Sequence, residues 1–281
     1  MSAIVVTGAA RGIGHVLVKR AVARGDKVIA CIRKEQDKEK FTSADNLYFA
    51  IMDVSSTESV ADGFRQIDAA LADDKLHAVV NSAAISLAGA VEHTPVEEFE
   101  AHYNTNTLGS IRVMKEALPR LRGHDGRMIL VTSLWGHAAG PMLGGYCSSK
   151  HAIEALADIT RRETVGQDVN IVVVEPGVVL TEMYSGQGNQ IRERMASLDA
   201  SQQALYGNYY QRYIKLVGGG GKGAITAEKA AENIERAIFD ARPKRRYKFG
   251  MDSKVVCAMT WLLPTAVMDF LLKQSLNNKP L

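Results

Sequence analysis

The sequence predicts an α/β fold, a doubly wound parallel sheet in a single domain, and three observations carry that expectation. Short apolar runs alternate with helical patterns from Ala3 to Val174, the order that strand–helix–strand crossovers impose on parallel strands. The first run passes straight into Thr7-Gly8-Ala9-Ala10-Arg11-Gly12-Ile13-Gly14 and then into a helix pattern. Later runs end in small or polar residues such as Asn81-Ser82-Ala83-Ala84 and Thr132-Ser133. Open sheets of this kind bind ligands outside the carboxyl ends of their strands.

Composition narrows the class. A chain of 281 residues, 46% hydrophobic and 23% charged, can bury a large core. Its net charge of +3 is small and evenly spread, which argues against nucleic acid as a partner. Cys31, Cys147 and Cys257 lie far apart with no disulfide or metal spacing, and the seven histidines are equally scattered. No metal is expected. The thiols suit a reducing compartment, and Ala3 to Val6 reads as a strand where a leader would stand, so the expectation is a cytoplasmic protein.

The elements follow in order. A glycine turn between a buried strand and a helix start lets backbone N–H groups approach a pyrophosphate, which the helix dipole also favours. The second strand, Lys27 to Ile32, runs into Arg33, where a site for NAD usually has a carboxylate; an arginine there accommodates a 2′-phosphate. With Arg11 in the turn as a second guanidinium, NADP(H) is the predicted cofactor, although either arginine alone reads equally as a solvated surface residue. Leu47 to Met52 is a strand ending at Asp53-Val54, and Ser55-Ser56-Thr57-Glu58 caps the next helix. Leu76 to Val80 ends in Asn81, after which a long helix carries Asn104-Thr105-Asn106-Thr107. Asparagine is a poor mid-helix residue, so Asn106 marks either an irregularity or a functional polar group.

The strand Arg127 to Val131 brings Ser133 to its tip, followed by Leu134-Trp135-Gly136. Tyr146 and Lys150 stand four apart at the start of the next helix and therefore share a face. A phenol titrates near ~10 in water, and a fixed ammonium beside it favours phenolate. Ser133 can hold a substrate oxygen while Tyr146 exchanges a proton with it. His137, close by, reads as a pocket wall or surface residue and not as the base. Asn170 to Val174 is the next strand, ending in Glu175-Pro176-Gly177, with Thr181 a short turn beyond.

Taken together, these motifs resemble the short-chain dehydrogenase/reductase family along nearly the whole chain. The family's Thr-Gly-x-x-x-Gly-x-Gly falls on Thr7, Gly8, Gly12 and Gly14; its Asn-Asn-Ala-Gly on Asn81 to Ala84, with Ser82 and Ala84 as departures; and its Pro-Gly on Pro176 and Gly177. The resemblance implies a Rossmann-like sheet and hydride transfer between a nicotinamide and a carbonyl or carbinol carbon. It implies a catalytic set of Asn106, Ser133, Tyr146 and Lys150, with Tyr146 as acid/base, Ser133 orienting the substrate oxygen and Asn106 holding a water. Lys150 would lower the phenol's pKa and bind the nicotinamide ribose. Cofactor contacts are expected from Gly8, Arg11, Gly12, Ile13, Gly14, Arg33, Asp53, Val54, Asn81 and Ala83. Tyr146, Lys150, Pro176, Gly177, Val179 and Thr181 complete them. The altered residues Ser82 and Ala84 are small, so the expectation is changed hydrogen bonding without loss of the cofactor. Homo-oligomers are also what the resemblance implies.

Residues 182–223 read as a helical substrate lid, with Gly218 to Gly221 as its hinge. Ser133, Trp135, Tyr146, Met183 and Tyr184 are the expected substrate pocket, with Tyr206, Tyr209, Tyr210 and Tyr213 as further candidate lining or as lid packing. The expected substrate is a bulky apolar alcohol or ketone, such as a steroid, retinoid or other lipid. Glu175 before Pro-Gly and the helical extension 251–281 resemble the steroid and retinol dehydrogenase branch. The apolar run Val255 to Leu272 is interrupted by Pro264 and Asp269 and falls short of the ~20 residues a span needs. It reads either as an interfacial membrane helix behind the basic run Arg242 to Lys248, or, preferred, as a cover for the pocket or a neighbouring subunit. A non-catalytic NADP(H)-binding sensor or scaffold is the alternative function. A phosphotransferase is disfavoured because the Gly-x-x-x-x-Gly-Lys-Ser/Thr pattern is absent.

Overall fold

A computed structural model describes residues 2–219 and 223–277. Strands β1 (Ala3–Thr7), β2 (Lys27–Ile32), β3 (Leu47–Ile51), β4 (Leu76–Asn81), β5 (Gly126–Val131) and β6 (Val169–Pro176) alternate with helices. These helices are α1 (Gly12–Arg24), α2 (Thr57–Leu71), α3 (Val96–His102), α4 (Gly109–Leu121) and α5 (Gly144–Glu163). Two short strands, β7 (Val179–Leu180) and β8 (Ile225–Thr226), bracket helices α6 (Glu182–Ala196) and α7 (Ala200–Gly218). The chain then forms α8 (Ala227–Phe239), β9 (Arg246–Phe249), α9 (Met251–Leu262) and α10 (Thr265–Asn277).

The seven-stranded sheet runs β3-β2-β1-β4-β5-β6-β9, every neighbouring pair parallel. Strand order reverses between β1 and β4, which opens a crevice at their carboxyl ends. Because side chains alternate across a strand, Val5, Ile29 and Val79 pack under α2, α4 and α5 while Ile4, Val6 and Val80 pack under α1 and α8. Both faces are covered, so the strands read as continuous apolar runs. The Asn104 to Thr107 stretch is an irregularity indeed: Tyr103–Leu108 forms a π-helical turn between α3 and α4, a feature often found at functional sites.

Pro264 separates α9 from α10 where one interrupted helix was expected. Ser253 and Cys257 are buried against the body, whereas Met251, Val255 and, in the last turn of α9, Trp261 and Leu262 are exposed, Trp261 at 84%. Among the described residues no helix is long and apolar enough to cross a membrane. Of the expected glycine hinge, Gly220 and Gly221 lie outside the described residues.

Candidate active site

The glycine turn is built for close approach. Gly8 has φ +67°, and a Cβ there would stand 2.8 Å from the Ala83 Cα; a Cβ on Gly14 would stand 2.6 Å from the Gly8 carbonyl oxygen. Gly12 also has positive φ, +54°, and faces the Thr181 methyl. Thr7 ties the two sides of the crevice together: its hydroxyl donates to Asn81 Oδ1 at 2.9 Å and accepts from the N–H groups of Ser82 and Ala83 at 3.1 and 3.2 Å. The Ser82 departure therefore leaves the backbone contact to Thr7 in place. Arg11 is the N-cap of α1 with no side-chain cap hydrogen bond, and Ile13 and Gly14 follow in the first turn. This backbone cradle fits a dinucleotide pyrophosphate.

Arg33 at the tip of β2 and Arg11 are both exposed on the rim of this crevice. Asp53 lies beyond β3, where burial pushes its carboxyl up but the Ser55 hydroxyl and N–H, with Arg33 and Arg112 nearby, hold it below the ordinary carboxylate range. Val54 beside it is buried, and Gly109 at the start of α4 packs on it.

At the other end of the crevice α5 presents Tyr146 and Lys150 on one face. The Ser133 hydroxyl accepts from the Trp135 N–H at 3.2 Å and so caps the following turn, and it lies close enough to the Tyr146 phenol to favour its ionised form. Lys150 is 3% exposed and donates from Nζ to the Val131 carbonyl at 2.8 Å. Its ammonium stands 5.7 Å from the Tyr146 ring centroid. Burial dominates both groups: it pushes the phenol up to about 12 against the Ser133 hydroxyl, and pulls Lys150 down to about 8 against the carboxylate of Glu154. The expected fall in the phenol's pKa thus meets a larger opposing desolvation in this structure.

Asn106 is fully buried in the π-helical turn. Its side-chain oxygen accepts from the Ile85 N–H at 2.8 Å, and its amide donates to the Ile85 carbonyl and the Ser149 hydroxyl, both at 3.0 Å. The side chain therefore clamps the loop after β4 to α5. Pro176, Gly177, Val179 and Thr181 continue from β6 along the crevice, with Thr181 as N-cap of α6.

Above these groups α6 and α7 pack into an apolar cluster that includes Leu143, Cys147, Ile191, Tyr210, Tyr213 and Val217, with Trp135, Tyr146 and Tyr184 packed against it. Met183 is 41% exposed and Tyr209 36%, so neither is enclosed by this cluster. Polar ties seat these helices on the body. Arg194 contacts both oxygens of Glu98 at 2.6 Å, Gln187 donates to the Ser86 hydroxyl at 2.9 Å, and the Tyr213 hydroxyl donates to Gln187 at 3.0 Å. Gln187 and Ser86 were not anticipated from sequence, since nothing local marks them, whereas Tyr213 was a candidate for lining or packing and is buried in the cluster. Asp252 was likewise missed: it accepts from the Val178 N–H at 2.7 Å, and a Cβ on Gly177 would overlap its carboxylate, so the head of α9 fixes the Pro-Gly turn.

The comparisons with known proteins agree with this geometry. The model of the short chain dehydrogenase family matches residues 2–192. The chain belongs to that family and is an oxidoreductase of its class. It is 28% identical over 275 residues to the NADPH-dependent 3-dehydrocapnine reductase of Ornithobacterium rhinotracheale, covering 94% of each chain. It is 30% identical over 275 residues to retinol dehydrogenase 16 of Rattus norvegicus, covering 95% of this chain and 86% of that one. A solved structure of a short chain dehydrogenase from Burkholderia cenocepacia in complex with NADP matches with a TM-score of 0.75 at 20% identity, over 99% of this chain and 98% of that one.

Proposed function

We propose that this chain is an NADP(H)-dependent enzyme that interconverts an alcohol and its carbonyl on a bulky apolar substrate. The observation that carries the reading is the phenol of Tyr146, beside Ser133 and one helical turn from a buried Lys150, packed against the apolar cluster of α6 and α7. A relative named as NADPH-dependent supports the cofactor, and Arg11 and Arg33 are the residues to hold its 2′-phosphate, with the glycine turn on the pyrophosphate. When bound, the nicotinamide supplies or takes the hydride at the reacting carbon.

The chain's own residues do the rest. In reduction Tyr146 gives its phenolic proton to the carbonyl oxygen, and in oxidation it takes the proton from the carbinol. A phenol pushed up to about 12 is present as the acid near neutral pH, the form that reduction uses. Ser133 donates to the same oxygen and so holds the substrate in line, while the ammonium of Lys150 stabilises charge that develops on the phenol oxygen. Asn106 acts from behind by fixing α5 against the loop after β4. Trp135, Tyr184 and Leu143 offer apolar surface to a large substrate, as the retinol dehydrogenase relative also suggests.

NADPH oxidation followed by absorbance, against small aldehydes, quinones, and steroid and retinoid ketones, tests the reading. Turnover on a bulky apolar ketone at a kcat/KM at least tenfold above that on small polar ketones is expected. Tight NADPH binding with no turnover on any member would instead favour a sensor or scaffold.

We also place the protein in the cytoplasm, in keeping with its three buried free thiols, as a homo-oligomer in keeping with its family. The outer face of α9 is read as a peripheral membrane contact. Met251, Val255, Trp261 and Leu262 are exposed on α9, and a groove of about 500 Å³ nearby is lined by Arg236, Lys244 and Lys254, together with Lys229, Arg246 and Lys248, whose charges are already paired with Glu232, Glu154 and Glu175. Sedimentation with vesicles checks this. Binding is expected to vesicles containing phosphatidylglycerol and to fall at least fivefold with pure phosphatidylcholine or with Trp261→Glu. Equal recovery in all of these would refute it, and a dimer broken by Trp261→Glu would assign the face to a second copy.

A further inference from the structure

A buried charge network lies behind the catalytic face of α5, outside the crevice. Tyr146, Lys150, Glu154 and Asp158 follow at four-residue spacing and form one stripe along the helix. Glu154 is 6% exposed and Glu175, on β6, is fully buried. In the parallel register of β6 and β9, Glu175 is level with Lys248 and Val173 with Arg246, so the two cations of β9 share a sheet face with Glu175.

The contacts converge on Glu154. Arg246 reaches its Oε2 from Nη2 at 3.0 Å and Nε at 3.3 Å, and also touches Asp158 at 2.8 Å and Glu175 at 3.1 Å. His137, one residue past the turn that Ser133 caps, lies 3.6 Å from Glu154 and 3.3 Å from Glu175. Lys248 faces Glu175 at 3.6 Å, and the Cys257 thiol lies 3.9 Å from the same carboxylate. Although a histidine and two carboxylates stand within 4.8 Å of one another, Arg246 and Lys248 supply the countercharge. The cluster is an ion-pair network and not a cation site.

The other oxygen of Glu154 points at the active site. It accepts the Thr132 hydroxyl at 2.5 Å, and Thr132 sits between Val131, whose carbonyl accepts the Lys150 ammonium, and Ser133. One carboxylate thus holds the strand tip that presents both groups. It is also the nearest turn's countercharge to Lys150. We infer that Glu154, clamped by Arg246 and His137, is a positioning residue that keeps Lys150 protonated and Ser133 in place, so that the C-terminal strand β9 is coupled to the chemistry. The inference rests on the reading of Tyr146, Ser133 and Lys150 given above. Burial lowers Lys150 and Glu154 pulls it back, while Glu175 raises His137 against its burial; burial pushes the Glu154 carboxyl itself up, against the Thr132 hydroxyl, His137 and Arg246. A buried carboxylate with two ion-pair partners and a hydroxyl donor is a costly arrangement to hold without a role.

The test separates charge from reach. Glu154→Gln keeps an acceptor for Thr132 and removes the charge; Glu154→Asp keeps the charge and shortens the reach. Isotope-labelled lysine, with the Lys150 signal assigned by its loss in Lys150→Arg, reports the Lys150 titration by NMR in protein without cofactor. From a wild-type midpoint near 8, Glu154→Gln is expected to shift it down by about one pH unit, the size of a tenfold change in protonation. Glu154→Asp is expected to stay within a few tenths. With NADPH and the best ketone, the alkaline limb of kcat moves down in parallel in Glu154→Gln, while KM changes less than twofold. An unmoved Lys150 titration in Glu154→Gln overturns the inference. A shifted titration in company with a fully active Tyr146→Phe enzyme would refute the reading of the site instead, leaving Glu154 as a partner of Lys150 alone.

Discussion

Tyr146→Phe is expected to lower kcat for ketone reduction by roughly 10³-fold, within the range that a positioned proton donor contributes. NADPH affinity, followed by fluorescence titration, should stay within about twofold. In the proposed reading the phenol oxygen is the group that reaches a substrate oxygen, and Ser133 beside it has no acidic proton of comparable strength to offer in its place. Removing that oxygen leaves the ring in its apolar setting, so the fold is expected to persist with little change in Tm. The sign of the pH dependence follows from the half-buried phenol and the buried ammonium. Near neutral pH the phenol carries its proton and Lys150 its charge. As pH rises through about 8 the ammonium is lost before the phenol titrates. Reduction by the wild type should therefore decline on the alkaline side with a limb set by Lys150. A Tyr146→Phe enzyme that keeps more than a tenth of wild-type kcat would remove Tyr146 from the chemistry.

Much of this was legible in sequence because the informative features are local. The strand runs, the glycine turn and the four-residue spacing of Tyr146 and Lys150 are each set within a few residues, and local geometry is what sequence periodicity reports. Asn106 was legible as an anomaly, a polar residue in a helix that the structure answers with a π-helical turn. What stayed hidden depends on pairings across the chain. Glu154 meets Arg246 from 92 residues away, and Asp252 meets Val178 from 74. In sequence each of these is an ordinary surface-type charge. Only the parallel pairing of β6 with β9 turns Arg246 and Lys248 inward onto Glu175. The desolvation of the Tyr146 phenol is illegible for the same reason, since the cluster it packs against draws on Ile191, Tyr210, Tyr213 and Val217, far along the chain. His137 was read as a wall or surface residue; the structure shows it facing the two carboxylates, a contact that requires the turn after Ser133 to fold back over α5.

Arg33→Asp is expected to raise the Kd for NADPH by roughly 10²-fold, the effect of removing one charged partner from a phosphate and setting a carboxylate in its place. NADH is expected to bind no worse and to gain relative to NADPH, because a carboxylate at the end of the second strand can accept from ribose hydroxyls. The location makes the substitution local. Arg33 is exposed at the tip of β2, beside Asp53, and its neighbours on the strand, Ile32 and Cys31, are buried. The change therefore touches the rim of the crevice and not the core. The new carboxylate would also oppose Asp53, whose ionised form Arg33 now favours, so Arg33→Ala separates the loss of attraction from the added repulsion. The alanine variant should lose about tenfold in NADPH affinity, with Arg11 retaining part of the phosphate contact, and the double change of Arg11 and Arg33 to alanine should approach the aspartate variant. Rising salt should weaken NADPH binding in the wild type more than in Arg33→Ala, since exposed charge pairs are screened. If the Arg33→Asp protein binds NADPH as tightly as the wild type, the 2′-phosphate is held elsewhere and the two arginines are solvated surface residues.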